Sequence, residues 1–200
     1  METLPASLVE LAQGKSLLRP RDAVAMGRSR LYLAQLAQRG LLHKVSRGLY
    51  ALPQRRASEF ATLAEVASRF PQVRVCLLSA LAFHGLTTQA PFEVWIAVDH
   101  KARAPKLSYP PLRIVRFSGP ALTEGIEIHP IEGVAVQVTS VAKTIADCFK
   151  FRNKIGLDVA LEALKEAWRD KRVTMDELWR YGQICRVHNV MRPYLEGLGT

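Results

Sequence analysis

Cysteine is scarce and poorly spaced for chemistry. Cys76, Cys148 and Cys185 are too far apart for a CxxC metal knuckle, and an odd count of three does not make a disulfide framework. Each lies among apolar neighbours, so buried thiols in a reducing cytosol are expected. Long hydrophobic runs are missing too. None approaches the ~20 apolar residues that a bilayer-spanning helix needs, so no membrane association is expected. The first residues lack a basic segment followed by an apolar core, and no secretory leader is expected. Phosphate-cradling glycine loops of the G-x-x-x-x-G-K-[ST] or G-x-G-x-x-G type do not occur, nor do G-x-S-x-G or HExxH. The five histidines (43, 84, 100, 129, 188) are scattered. These absences argue against nucleotide-driven, zinc-dependent or serine-hydrolase chemistry. The expectation is a protein that is not an enzyme and carries no cofactor.

Acidic residues are nearly absent from one region only. Residues 1–56 hold ten Lys and Arg against three Asp and Glu, a local charge of +7 within a chain total of +10. Charge gathered in one segment suggests a phosphate-binding footprint more than general solubility.

That segment has ordered punctuation. Leu4, Leu8, Leu11 and Ala12 fall at helical spacing, and Gly14 ends the helix. Pro20 suits the first position of a second helix and Asp22 its first turn. Gly27 permits a tight turn. Ser29 is placed to cap a third helix that ends at Gly40, with Leu33, Leu36 and Ala37 as its apolar stripe. Leu41–Val45 and Gly48–Leu52 follow as two short strands, with Lys44-Val45-Ser46-Arg47-Gly48 at the tip. Helix, turn, helix and basic hairpin in this order predict a winged helix-turn-helix over residues 1–55. Arg30 and Gln35 are candidates for base edges in double-stranded DNA, since Arg matches guanine and Gln matches adenine. Arg28 and Ser29 are placed for a phosphate as well as a base. Lys44, Ser46 and Arg47 are expected at the backbone or the minor groove, and His43 can add a phosphate contact. The plainer alternative is a solvated charged module that binds protein.

Pro53-Gln54-Arg55-Arg56 has the composition of a linker to a second domain over 56–200. A helix over Phe60–Phe70 is expected, then strand-like runs at Val73–Leu78, Phe92–Val98, Leu112–Phe117, Ile126–Ile131 and Val134–Val138. Ser79 is expected to cap a short helix Ala80–His84. Helices follow: Val141–Ile155 capped by Thr139 or Ser140, one capped by Asp158, and a last one opened by the Thr174-x-x-Glu177 box. Strands first and helices after predict an α+β fold class overall. His84 is expected at a helix end, interacting with its dipole. Asp147, Asp158 and Glu162 have the pattern of exposed or capping carboxylates. Glu93 and Asp99 with Lys101 resemble a nuclease carboxylate pair. Six residues along one strand separate them by ~20 Å, too far for a common metal.

Several segments together resemble the AbiEi antitoxins, regulators of type IV toxin–antitoxin and abortive-infection loci. They are Ser46–Tyr50 at the end of the basic hairpin, Leu78–Leu86 (LSALAFHGL), Val138–Phe149 (VTSVAKTIADCF) and Arg152–Leu164 (RNKIGLDVALEAL). The resemblance implies an autorepressor that binds inverted repeats in its own promoter, through positions matching Arg28, Arg30, Lys44 and Arg47. It further implies phage defence by countering a nucleotidyltransferase-like toxin, without requiring a stable complex. For that second task it points to basic residues of the C-terminal domain, here Lys143, Lys150, Arg152 and Lys154. At spacings of seven and four, Lys143, Lys150 and Lys154 would share one helix face. A winged-helix transcription factor with a small-ligand-sensing C-terminal domain stays open as the alternative.

Overall fold

The computed structural model describes residues 4–55 and 57–198, apart from the side chain of Gln13. Arg56, in the expected linker, lies outside these residues. The chain forms two compact units: residues up to Arg69 together with Pro130–Ala135, and Phe70–His129 with Val136 onward.

The first unit opens with α1 (Ala6–Gly14), α2 (Pro20–Ala25) and α3 (Tyr32–Gln38). Proline at the first position of α2 loses no hydrogen bond, because that N–H has no partner inside a helix. The Asp22 carboxylate accepts a hydrogen bond from the Arg19 N–H at 2.8 Å and pairs with Lys15 Nζ at 3.0 Å. Strands β1 (His43–Ser46) and β2 (Leu49–Ala51) then form an antiparallel hairpin. Leu8, Leu18, Ala23, Leu33, Leu36, Leu42 and Tyr50 close one small core. Leu33 and Leu36 come from the predicted stripe of α3, so helical periodicity and burial agree.

The unit does not stop at residue 55. Helix α4 (Ala61–Arg69) belongs to it, and so does the tip of a later hairpin. Glu132 in that tip is paired with Arg55, and its other oxygen accepts the Ser58 N–H at 2.7 Å. A carboxylate with a guanidinium and a backbone donor around it is a satisfied buried charge. This pairing, 77 residues apart in sequence, shifts the division away from the expected linker.

The second unit is built on a mixed sheet in the order β5-β4-β3-β7-β6. Its strands are β3 (Arg74–Val75), β4 (Val94–Asp99), β5 (Leu112–Phe117), β6 (Ile126–Ile131) and β7 (Val134–Thr139). Strand β3 runs antiparallel to β4 and parallel to β7, and β4 runs parallel to β5. In β7 the valines 134, 136 and 138 are buried while Ala135 is exposed, as the alternation requires. The helices are α5 (Leu77–Phe83), α6 (Pro120–Thr123), α7 (Val141–Lys150), α8 (Arg152–Ile155), α9 (Leu157–Arg169), α10 (Met175–Ile184) and α11 (His188–Glu196). The expected α+β class holds. Among the described residues no helix is long and apolar enough to cross a membrane.

Several boundaries differ from expectation. Helix α5 begins at Leu77 and absorbs Ser79. The Ser79 hydroxyl therefore does not cap; it accepts the Trp95 N–H at 2.9 Å and ties α5 to β4. Helix α9 starts one residue before Asp158, which sits in the first turn without capping it. The helix after Ser140 breaks at Phe151, and the last helix divides at Cys185–Val187. The Thr174–Glu177 capping box forms as predicted, with the Glu177 N–H donating to the Thr174 hydroxyl at 3.2 Å.

Candidate nucleic-acid interface

The α2–α3 connection is fixed by backbone chemistry. Arg28 N–H donates to the Ala23 carbonyl at 2.9 Å and Gly27 N–H to Val24 at 2.9 Å. Gly27 takes φ +71, which L side chains rarely adopt. The turn delivers Arg28, Ser29, Arg30 and Leu31, all exposed, to the start of α3. Ser29 is not the cap that the sequence suggests. The helix opens three residues later, and the Ser29 carbonyl accepts the Tyr32 N–H at 3.1 Å as part of a preceding turn. The Ser29 side chain is thereby left at the surface. The Arg28 guanidinium lies 5.4 Å above the Tyr32 ring, a cation–π contact that orients it.

With Leu33 and Leu36 turned into the core, Gln35 and Gln38 stand on the exposed face. Leu31 is 67% exposed, four residues before Gln35 and on the same face. Sequence reading passed over it, because an isolated leucine reads as core. The signal was its offset from the Leu33/Leu36 stripe.

The hairpin tip is narrower than expected. Ser46 pairs across to Leu49, leaving Arg47 and Gly48 as the turn, with Gly48 at φ +73. Lys44 is not at the tip. It pairs with Tyr50 and lines a cleft of about 210 Å³ with Ala34, Ala37 and Gln38, between α3 and the hairpin. The Ser46 hydroxyl is buried without a hydrogen-bond partner, so it does not join the exposed set. A bulge between Lys44 and Ser46 alters the strand here. Leu18 and Tyr50 exchange both backbone hydrogen bonds, at 2.7 and 2.9 Å, which braces the hairpin against the body of the unit. Among the described residues Arg28, Arg30, Lys44 and Arg47 have no carboxylate partner, whereas Lys15 and Arg55 are paired. One unit thus presents four cations without a carboxylate partner around one exposed helix face.

The basic residues suggested for the C-terminal domain do not form a common surface. Lys143 is fully buried, and its ammonium holds both oxygens of the equally buried Asp147 at 2.6 Å. Cys185 Sγ donates to Asp147 at 3.2 Å, and the Phe117 ring lies 4.7 Å from Lys143 Nζ. Burial acts against the Lys143 ammonium, but Asp147 outweighs it and the lysine's pKa lies above its ordinary value. Burial raises the Asp147 pKa, against the pull of Lys143. The expected solvated face for Lys143 and the exposed setting for Asp147 are both corrected by this pair. Lys150 is exposed but its ammonium donates to the Cys185 carbonyl at 3.1 Å. Arg152 donates to the Phe149 carbonyl at 2.9 Å. Lys154 sits on α8, beyond the break, over the Phe151 ring at 5.6 Å.

All three cysteines are free and buried, as expected. Burial raises the Cys76 and Cys148 thiols well above their ordinary pKa and pushes Cys185 up to about 12, so none is a ready thiolate.

His84 does end a helix, but as a neutral donor. Its Nε2 lies 2.7 Å from the Thr139 carbonyl, and burial lowers its pKa. A lowered histidine pKa means the unfolded chain binds the proton first. Stability is therefore expected to be complete above the unfolded pKa near 6.5 and to fall as pH drops through it. Urea midpoints measured on either side of that pH should show the decline, and His84→Gln should flatten it.

A family model described as transcriptional regulator, AbiEi antitoxin, matches residues 7–53. The match is confined to the N-terminal module, less than half of the chain. The match runs from α1 through β2 and so contains every exposed cation gathered here, from Arg28 to Arg47. The matched stretch therefore coincides with the helix, turn, helix and hairpin, and excludes α4 and the later hairpin tip. No curated protein matches the chain.

Proposed function

We propose that this protein is a DNA-binding autorepressor and an antitoxin, rather than an enzyme. On this reading it acts in the cytoplasm, in phage defence, against a nucleotidyltransferase-like toxin. The observation that carries the DNA-binding part is the exposed face of α3, flanked by Arg28, Arg30, Lys44 and Arg47 without carboxylate partners. A short helix presented by a tight turn, with a two-stranded hairpin beside it, suits a major groove and its adjoining backbone. Arg30 and Gln35 offer donors to base edges. The apolar Leu31 between them fits a thymine methyl group. Arg47 at the hairpin turn and Lys44 in the cleft are assigned to phosphates. The AbiEi description supports the regulatory and antitoxin parts; the promoter target and the toxin class follow from the resemblance.

The test is binding to the DNA upstream of the protein's own coding region, across a salt series with unrelated duplex as competitor. Sequence-selective binding with a steep salt dependence is expected. Lys44→Ala or Arg47→Ala should weaken binding on all duplexes and reduce the logarithmic salt slope by about one unit each. Equal, weak binding to every duplex would leave a basic protein-interaction module instead. The antitoxin part is tested by co-expression with the adjacent gene, where loss of growth rescue on deleting this protein is the expected result.

A further inference from the structure

The second unit contains a separate cluster of cations. Arg116 at the end of β5, Lys150 at the end of α7 and Arg186 between α10 and α11 line one small cleft, of about 180 Å³, together with Ser118. Its lining has three positive side chains and, among the described residues, no carboxylate.

Two of the cations are held in place. Arg116 Nη1 is shared by the carbonyls of Asp99, His100 and Ala102 at 3.1, 2.9 and 2.9 Å. Lys150 Nζ is anchored on the Cys185 carbonyl at 3.1 Å. Hydrogen bonds to carbonyls orient these groups without neutralising them. The third cation is placed by the end of α10: Arg186 has φ +59, its N–H donates to the Gln183 carbonyl at 2.9 Å, and the Val187 N–H donates to Gly182 at 2.7 Å, which closes the helix.

We infer that this cleft binds the terminal phosphate of a small phosphomonoester. The volume is below the ~300 Å³ where sites for whole ligands begin, so the cleft suits a headgroup with the remainder outside. A phosphomonoester carries about −1.5 to −2 charges near neutral pH, which matches three cations better than a singly charged carboxylate or diester does. The two guanidinium groups can each fork two phosphate oxygens, and Lys150 adds a compact charge. The Ser118 hydroxyl supplies a neutral donor at the rim. The site is independent of the proposed DNA face, and its test does not depend on DNA binding.

The experiment is a titration of the full chain with inorganic phosphate, followed by backbone amide NMR and compared with chloride at equal ionic strength. Shifts should concentrate at 116–120, 150 and 184–187. Lys150→Gln and Arg186→Asn should each weaken phosphate by about tenfold. Asparagine is chosen because it tolerates the left-handed backbone. Spectra matching the wild type away from the site would show that these variants fold. Lys165→Gln, an exposed change on α9, should leave the affinity unaltered. Dimethyl phosphate, a diester like the nucleic-acid backbone, should bind at least about tenfold more weakly than inorganic phosphate. Diffuse shifts equal to those from chloride, or affinity unchanged in Lys150→Gln and Arg186→Asn, would overturn the site. Equal affinity for the diester would overturn the monoester assignment in favour of a polynucleotide backbone.

Discussion

Replacing Asp147 with alanine is expected to destabilise the protein by about 3–5 kcal/mol, because it strands a fully buried ammonium. Both side chains of the Lys143–Asp147 pair are 0% exposed, and the ammonium contacts both carboxylate oxygens at 2.6 Å. The attraction between the two charges offsets their desolvation only while both are present. A native stability of roughly 5–15 kcal/mol makes the loss a large fraction of the total. Urea denaturation of the single variants and the double variant checks it. Lys143→Met/Asp147→Leu, which removes both charges and keeps an apolar volume, should recover most of the loss.

Lys143→Met differs in a useful way. It leaves a carboxyl group that can be neutralised by a proton, and burial already raises the Asp147 pKa. A carboxyl whose folded pKa is raised binds protons more readily folded than unfolded, so stability should rise as pH falls through that folded value towards the unfolded one. The variant should therefore gain relative to wild type as pH is lowered through that folded value. An Asp147→Ala protein as stable as wild type would show that the pair is not a buried ionised one. The same reasoning changes how a Lys143 variant is read in a growth assay. Lost antitoxicity would report an unfolded second unit, not a missing contact with a toxin or nucleic acid.

Lys143 also shows where sequence reading reaches its limit. The stretch VAKTIADCFK gives lysine and aspartate at i and i+4 within apolar residues. That spacing fits an exposed pair on an amphipathic helix as well as a self-satisfied pair in a core. What decides is that α7 is packed by α5, α9, α10 and α11, burying Ala142 through Phe149 without interruption. No local pattern records how many neighbours a helix has. The helix–turn–helix was legible because its punctuation is local: Pro20, Gly27, Gly40 and Gly48 each meet a backbone need at one position. Boundaries held by left-handed residues other than glycine were not. Leu77 (φ +48) opens α5 and Arg186 (φ +59) divides the last two helices, and neither residue type announces that conformation. The same holds for Glu132, whose role depends on Arg55, far away in sequence. Within the candidate interface the exposed cations were legible from charge. The inward hydroxyl of Ser46 and the placement of Lys44 opposite Tyr50 depend on the hairpin register, which a bulge modifies.

Arg30→Ala is expected to weaken binding to the cognate operator by about 1–3 kcal/mol, with preference relaxed at a single base pair. Arg30 is exposed in the turn that leads into α3, and Gln35 follows on the same exposed surface more than one helical turn later. Residues at the N-terminus of a helix lying in the major groove are the ones that contact base edges. Its neighbours constrain the alternatives. Arg28 is engaged with the Tyr32 ring, and Arg47 stands on the hairpin turn and not on α3. The distinction is measurable, because phosphate contacts are indifferent to sequence while base contacts are not. Competition on operators altered one base pair at a time should separate them. Arg47→Ala should lower affinity by the same factor on every operator. Arg30→Ala should equalise the operators that differ at one position and leave discrimination elsewhere intact. A uniform loss in Arg30→Ala would reassign it to the backbone and leave Gln35 and Leu31 as the residues that choose the sequence.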